Sequence, residues 1–199
     1  MTKDQIKLEI IRYGNMLIEK GLCTGTGGNI SVRLPENNGF MITPSGIPYP
    51  DITLEDIVTL DFEGNIIEGT RKPSSDTEAI LYIFQKRPDI NAVIHTHQPY
   101  ATAIGLIQDE FEVNLTTLAN ATAGSVPVTP YSSAGSIEMG IDTVEYIGDS
   151  LAVILAHHGV MAVGKNLKQA LYAAVYLEEA AKCYLAARAC GETKRMTPE

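Results

Sequence analysis

The sequence contains no uninterrupted apolar segment of the roughly 18 to 20 residues that a helix needs to cross a bilayer. Its first residues, MTKDQIKLEIIRYG, mix charged side chains into the apolar pattern. That mixture is unlike the apolar core of a secretory signal peptide. A membrane protein or a secreted protein is therefore not expected, and a cytoplasmic location is the default.

Basic residues are scarce. Lysine and arginine together number 15, against 24 aspartates and glutamates, which gives a formal net charge of −9. Nucleic-acid binding depends on clustered positive charge that contacts phosphates. A nucleic acid is therefore not expected as a partner. An anionic small substrate would need local compensation from a cation and from backbone N–H groups.

Cysteine is also rare, and the three present form an odd number that argues against a disulfide framework. Cys183 and Cys190 stand seven residues apart on a predicted helix, which separates them by about 10 Å along its axis. Since that span exceeds the reach of a disulfide, all three cysteines are expected to be reduced. We expect Cys183 and Cys190 to be buried as small apolar residues.

The chain of 199 residues, with 45% hydrophobic residues, suits one compact domain spanning residues 1–199. Helical periodicity covers residues 3–20, and Asn166 is placed to cap a long helix that Gly191 ends. Ser75 and Glu78 have the spacing of a capping box for a helix that ends near Pro88. Apolar strands, including INAVIHTH and LAVILAHH, are interleaved with these helices. The pattern predicts a sheet sandwiched between helices. GTGGN does not match the dinucleotide-binding glycine fingerprint, and no P-loop lysine follows it.

All four histidines of the chain fall in two clusters, each at the end of an apolar strand. In the segment His-Thr-His at 95–97, the two imidazoles project from the same face of a strand, about 7 Å apart along it. In His-His-Gly at 157–159, one histidine can share that face and the other must lie elsewhere. Three imidazoles around one ion leave an open coordination position, as catalytic metal sites require. Imidazole suits zinc, although cobalt, nickel and iron are alternatives.

Asp76 has two interpretations. As a negative charge in the first helical turn, it would be favoured by the helix dipole. As a carboxylate near the metal, it would act as a ligand or as a general acid and base. The two roles are compatible.

Three loops of small polar residues precede or follow predicted strands: GTGGN at 25–29, PSG at 44–46 and the serine pair at 74–75. Glycines let the backbone approach a ligand, hydroxyls donate hydrogen bonds, and a helix N-terminus favours an anion. Each loop alone is also typical of ordinary turns and caps. Together with the histidine clusters, they predict a phosphate-binding cradle.

These segments, in this order, resemble the class II aldolase/adducin head family. The matching stretches are GTGGNISVR, ITPSGIPY, KPSSDTEAILY, AVIHTH, GSVPVTPY and LAHHGVMAVG, and they extend from about residue 5 to about residue 185. The resemblance implies a three-layer α/β/α sandwich with a largely antiparallel central sheet. It also implies a homotetramer with active sites between subunits.

The resemblance further implies a zinc-dependent aldolase that reversibly cleaves a ketose 1-phosphate, such as L-fuculose 1-phosphate, to dihydroxyacetone phosphate and an aldehyde. One Zn²⁺ per subunit would be held by His95, His97 and His158, because the family ligand immediately precedes the glycine. Asp76 would be the acid/base carboxylate. The residues implied to hold the substrate phosphate are Thr26, Gly28, Asn29, Ser45, Gly46, Ser74 and Ser75.

The chain departs from the best-known family members. Fuculose-phosphate aldolase typically has Glu where this chain has Asp76, and the ribulose-phosphate 4-epimerase has Asp. At the second proton-transfer positions, where the epimerase has Asp and the aldolase has Tyr, the chain has Asn120 and Thr116. No tyrosine follows Gly191. The second proton donor is therefore unassigned, with Tyr131 a candidate only by its place in a turn, where packing is the expected role.

Three alternatives accordingly stay open. They are a 4-epimerase, a dehydratase of the methylthioribulose-1-phosphate type, and a noncatalytic module like the adducin head. The intact histidine triad with its adjacent carboxylate argues against the noncatalytic module.

Overall fold

A nine-stranded mixed sheet forms the centre of the computed structural model, which describes residues 1–112, 114–194 and 196. Its strands are β1 Asn29–Arg33, β2 Gly39–Ile42, β3 Val58–Asp61, β4 Ile66–Glu68, β5 Ala92–Thr96, β6 Glu110–Phe111, β7 Val126–Thr129, β8 Ala152–Leu155 and β9 Gly159–Gly164. They lie in the order β4-β3-β2-β1-β5-β9-β8-β7-β6. Every neighbouring pair is antiparallel except β7 with β8, which confirms the predicted largely antiparallel sheet.

Helices cover both faces of the sheet. They are α1 Lys3–Glu19, α2 Thr77–Lys86, α3 Pro99–Ile104, α4 Thr116–Thr122, α5 Ile137–Tyr146 and α6 Leu167–Cys190. One hydrophobic core joins α1, α3, α4 and α6 to one face, and a second core joins α2 and α5 to the other. The predicted α/β/α sandwich is thereby confirmed. The central strand β5 is buried along its whole length, because helices cover it on both sides.

Local capping chemistry explains where two of the helices begin. Thr2 accepts a hydrogen bond from the backbone of Gln5, whose side chain bonds back to Thr2, so α1 begins with a complete capping box. Asn166 accepts from the backbone N–H of Gln169 and caps α6, as predicted. Gly191 follows the last residue of that helix.

The predicted capping box of Ser75 and Glu78 is wrong. Helix α2 begins at Thr77 with Asp76 as its N-cap, and the Asp76 side chain makes no capping hydrogen bond. The carboxylate instead accepts a hydrogen bond from Asn29 on β1. A tertiary contact has therefore displaced the local cap that the spacing favours.

LAVILAHH does not form one strand up to its two histidines. Strand β8 ends at Leu155, and residues 156–158 form a tight turn into β9, with Leu155 opposite Gly159. His157 occupies the left-handed region with φ of 60°, which reverses the chain at this point. The two histidines are therefore at the tip of a β-hairpin.

The expected burial of Cys183 and Cys190 is also wrong. Both side chains are exposed, whereas Cys23 is buried. The fully buried residues of α6 end at Ala181, and beyond it Tyr184 and Leu185 are the side chains that pack partly against the core. All three cysteines are free thiols, as expected.

No helix in the described part of the chain is both long enough and apolar enough to span a membrane. The prediction of a single domain over residues 1–199 stays a prediction. Val113, Arg195 and residues 197–199 of that range lie outside the described residues.

Candidate metal and substrate site

His95 and His97 lie at the end of the central strand β5. The Nε2 atoms of the two rings are 3.0 Å apart, and the ring planes are nearly perpendicular. His95 is fully buried, and its Nδ1 lies 3.0 Å from the carbonyl oxygen of Val160 on the neighbouring strand β9. Because a carbonyl can only accept, Nδ1 of His95 carries the proton. Its Nε2 therefore presents a lone pair to the other two imidazoles.

The β8–β9 hairpin supplies the third imidazole. The ring centroid of His158 lies 4.8 Å from that of His95 and 5.1 Å from that of His97. A Cβ on the adjacent Gly159 would stand 2.2 Å from the carbonyl oxygen of Thr96, so only glycine lets the hairpin approach β5 this closely. His157 turns away and lies edge-on to Tyr131, with the ring centroids 6.1 Å apart.

The three imidazoles could hold a metal ion. One nitrogen from each of His95, His97 and His158 lies within 4.8 Å of the others. Tetrahedral zinc with Zn–N bonds near 2.0–2.1 Å places its ligand nitrogens about 3.3 Å apart. Small rotations of the rings would therefore bring the three nitrogens to the separations that a tetrahedral zinc ion requires. The Nδ1 atom of His158 is buried and has no hydrogen-bond partner among the described residues, as suits a nitrogen that awaits a ligand or a proton acceptor.

Burial keeps these imidazoles neutral. Burial first, and then the neighbouring His158 and His97, lower the pKa of His95 to about 3. Burial also lowers the pKa of His97 and of His158, and the negative charge of Asp76 opposes this effect at both rings. Neutral imidazole is the form that binds metal.

A carboxylate stands beside the triad. One oxygen of Asp76, Oδ2, lies 3.8 Å from Nε2 of His95 and accepts a hydrogen bond of 2.7 Å from the side-chain amide of Asn29. Asn29 is opposite His95 in the β1–β5 pairing, so the sheet itself fixes the distance between them. The arrangement lets the carboxylate act as an additional ligand or as a proton carrier at the edge of the triad.

A cavity of about 250 Å³ opens in front of His97, His158 and Asp76. Six of the seven residues predicted to hold a phosphate line its described part: Thr26, Gly28, Ser45, Gly46, Ser74 and Ser75. The seventh, Asn29, is fully buried and donates to Asp76 instead. Ala134, which the sequence analysis did not select, also lines the cavity.

Two of the cavity loops are tied together by backbone hydrogen bonds. Ser45 N–H donates to the carbonyl of Lys72, and Ser74 N–H donates to the carbonyl of Thr43. Pro44 and Pro73 form an isolated bridge between the same loops. The serines that line the cavity are therefore carried by a pair of loops that are hydrogen-bonded to each other. Such a pair can hold an anion with little rearrangement.

Thr116 and Asn120, the positions aligned with a second proton donor in the sequence analysis, do not line the cavity beside the triad. Thr116 and Asn120 belong to α4, and Asn120 lines a different cavity beside α6. Tyr131 is 65% exposed, and its ring contacts His157 at the surface rather than packing into the core.

Sequence reasoning missed two contacts of the site. One is the Val160 carbonyl that fixes the proton on His95, and the other is the Asn29 bond that orients Asp76. Both depend on strand pairing, and no local pattern signals either of them.

Comparison with known proteins adds a family and named relatives. The family model described as Class II Aldolase and Adducin N-terminal domain matches residues 8–185. The chain is 40% identical over 192 residues to the 5-deoxy-D-ribulose 1-phosphate aldolase of Bacillus thuringiensis, covering 96% of this chain and 89% of that protein. It is 35% identical over 185 residues to the L-fuculose phosphate aldolase of Escherichia coli, covering 93% and 85%. A solved structure of an L-fuculose 1-phosphate aldolase superposes with a TM-score of 0.92 at 36% identity, covering 97% of this chain and 91% of that one.

Proposed function

Because the chain belongs to the class II aldolase and adducin N-terminal domain family, we propose that it is a metal-dependent aldolase acting on a ketose 1-phosphate. The reaction would reversibly yield dihydroxyacetone phosphate and an aldehyde. The observation that carries the proposal is the convergence of three imidazoles beside a carboxylate, with His97, His158 and the carboxylate lining a cavity that serines, a threonine and glycines also line.

The proposed metal ligands are His95, His97 and His158, with Zn²⁺ as the preferred ion and one ion per subunit. The donor set supports a borderline metal such as zinc, and three ligands leave room for substrate oxygens. When bound, the ion would act as a Lewis acid that stabilises the negative charge developing on oxygen as the carbon–carbon bond breaks.

Asp76 is the proposed acid/base residue. Its carboxylate faces the edge of the triad, and the hydrogen bond from Asn29 fixes its orientation. It would give a proton to the enediolate carbon during cleavage and take that proton from dihydroxyacetone phosphate during the reverse reaction. The group that takes the proton from the substrate hydroxyl during cleavage, and returns it to the aldehyde oxygen in the reverse reaction, is unassigned.

The proposed phosphate cradle consists of Thr26, Gly28, Ser45, Gly46, Ser74 and Ser75, with Asn29 supporting it from behind Asp76. Serine and threonine hydroxyls can donate to phosphate oxygens, and Gly46 lines the cavity with no other atom within 4 Å of where a Cβ would stand. The proposed metal and these donors would offset the negative charge of the substrate inside an acidic protein.

Two substrates are favoured within the proposed class. The 40% identical relative is named for 5-deoxy-D-ribulose 1-phosphate, and the 35% identical relative for L-fuculose phosphate. Both names describe ketose phosphates that differ in the part distant from the phosphate. We therefore expect the aldehyde portion to distinguish them. A homotetramer and a cytoplasmic location, both expected from the sequence, remain predictions.

Product analysis tests the proposed reaction. Purified protein would be loaded with Zn²⁺, Co²⁺ or Mn²⁺ and incubated with 5-deoxyribulose 1-phosphate, fuculose 1-phosphate and ribulose 5-phosphate, with NMR identification of products. An aldehyde plus dihydroxyacetone phosphate is the expected result with the two 1-phosphates. Formation of an epimer would instead indicate an epimerase, and formation of a diketone would indicate a dehydratase. A chain that stays folded with chelator and shows no turnover with any ion would support the noncatalytic module.

A further inference from the structure

A carboxylate on the opposite side of β5 from the cavity has no role in the proposed chemistry. Glu178 lies in the middle of α6 and is 2% exposed. Lys182, one turn further along, makes its ion pair with the exposed Glu179 rather than with Glu178. Burial raises the pKa of Glu178, since the environment disfavours its charge. No ion pair joins Glu178 to a cation of the described residues, so its buried carboxylate needs a specific set of hydrogen bonds.

Those hydrogen bonds come from the start of α3. Oε1 of Glu178 accepts from the backbone N–H of Tyr100 at 3.1 Å, and Oε2 accepts from that of Ala101 at 2.9 Å. The N-cap of α3, Gln98, makes no capping hydrogen bond with its own side chain, and Pro99 has no N–H. Tyr100 and Ala101 are therefore the first amides of the helix in need of acceptors, and Glu178 satisfies both.

A second contact joins the same short segment to α6. The side-chain amide of Gln98 donates to the carbonyl of Ala174, and its oxygen accepts from the hydroxyl of Thr96. Both partners of Gln98 are buried. His97 lies between Thr96 and Gln98, so the backbone on its C-terminal side is anchored to α6 through Gln98 and Glu178.

The position of the His97 ring depends on this backbone more than the position of the His95 ring does. The ring of His95 is oriented by the carbonyl of Val160, whereas the ring hydrogen bond of His97 within the described residues goes only to His95. Metal-binding histidines are usually oriented by a carboxylate or carbonyl on their second nitrogen. Where that partner is lacking, the position of the ring follows the position of the backbone.

We propose that Glu178 is a positioning residue for the metal site, which holds the backbone of His97 in place by fixing the first amides of α3 to α6. This inference rests on the proposed metal site. Glu178 contacts neither the cavity nor the triad and acts only through the segment 98–101.

The test compares two adjacent glutamates. Glu178→Gln keeps the shape of the side chain but replaces one acceptor oxygen with an NH₂ group, which cannot accept from a backbone N–H. Glu179→Gln is the matched control, because it removes an exposed charge from the same helix. Zn²⁺ affinity would be measured by competition with a chromophoric chelator at a temperature where thermal unfolding shows each variant to be folded. The visible spectrum of the Co²⁺ forms would report the ligand geometry.

We expect Glu178→Gln to weaken Zn²⁺ binding about tenfold, at the low end of the 10- to 100-fold losses typical of supporting residues. The Co²⁺ spectrum should change, and amide hydrogen exchange at Tyr100 and Ala101 should accelerate. Glu179→Gln should match the wild type in all three measurements. Glu178→Asp keeps the charge but reaches less far, so its Zn²⁺ affinity should be intermediate, and this variant decides the matter if Glu178→Gln does not fold.

Wild-type Zn²⁺ affinity in a folded Glu178→Gln or Glu178→Asp variant would overturn the proposal, even with a lowered Tm, because Glu178 would then be purely structural. Failure of the wild-type protein itself to bind Zn²⁺ or Co²⁺ is a different result. It would remove the proposed metal site, and with it the premise of this inference.

Discussion

The Gly28→Ala variant should show how closely the loop at residues 25–29 packs against the histidine triad. Gly28 has φ of 77°, and a Cβ there would stand 2.5 Å from the carbonyl oxygen of His95 and 2.7 Å from Sγ of Cys23. Left-handed backbone costs an alanine about 1–2 kcal/mol. The two close contacts add an overpacking cost of about 1–3 kcal/mol. The free energy of unfolding should therefore fall by about 2–5 kcal/mol.

Gly46 provides a matched control, because it has the same φ of 77° but nothing within 4 Å of the position that an added Cβ would take. Gly46→Ala should lose only the backbone cost of about 1–2 kcal/mol. For a chain of this size, each 1 kcal/mol lowers Tm by about 2–4 °C. Gly28→Ala should also bind Zn²⁺ more weakly, since relief of the clash moves the backbone of His95, whereas Gly46→Ala should keep wild-type affinity.

The assays are thermal and urea unfolding of the metal-free proteins, followed by chelator competition with Zn²⁺. Equal losses of stability in the two variants would show that the backbone relaxes around the new Cβ at no cost. Equal metal affinities would show that His95 does not move. Either result would refute the claim that this loop is packed directly against the triad.

Four further outcomes are expected. His95→Ala should lose bound metal and activity together while staying folded, and His157→Ala, outside the triad, should keep its metal; wild-type metal content in His95→Ala would contradict the assignment. Asp76→Asn should lower kcat by about 10²- to 10⁴-fold with the protein folded, as for removal of a general acid or base, and unchanged kcat would exclude that role. Ser75→Ala should weaken binding of ketose phosphates more than of the dephosphorylated sugars, measured by calorimetry, and equal losses would rule out a phosphate contact. Burial lowers the pKa of His95 to about 3, so as pH falls this imidazole is protonated in the unfolded chain before it is protonated in the folded one, and the metal-free protein should lose stability below about pH 6.5. In urea unfolding, the free energy of unfolding should depend less steeply on pH for His95→Gln than for the wild type. An identical dependence would count against this cause.

Several elements of the fold could be predicted because they carry a local signal. The helices α1 and α6 have caps at the start and a glycine after the end, and the strands of the sheet are short apolar segments between turn residues. These signals depend on chemistry within a few residues. The antiparallel pairing of the strands came only from the resemblance to a family, since strand order depends on contacts between distant segments.

The start of α2 illustrates how a local rule fails at a candidate site. The spacing of Ser75 and Glu78 favours a capping box, yet the N-cap lies one residue later, at Asp76, whose carboxylate turns to Asn29 and the imidazoles. A capping hydrogen bond contributes about 1 kcal/mol, so a buried contact to the amide of Asn29 can offset its loss. Local rules tend to be broken where function constrains the structure.

Which of His157 and His158 joins the triad also depends on contacts that no local rule describes. Periodicity alone showed that only one of His157 and His158 could join the triad, and the family resemblance selected His158. The structure supplies the physical reason: His157 takes the left-handed conformation at the tip of a hairpin, and Gly159 lets the following strand approach Thr96. A left-handed non-glycine residue costs of order 1–3 kcal/mol and persists only when its surroundings fix it. The strain at His157 is therefore the local cost of directing His158 at His95 and His97, and the pairing of β8 with β9 on one side and β5 with β9 on the other holds it in place.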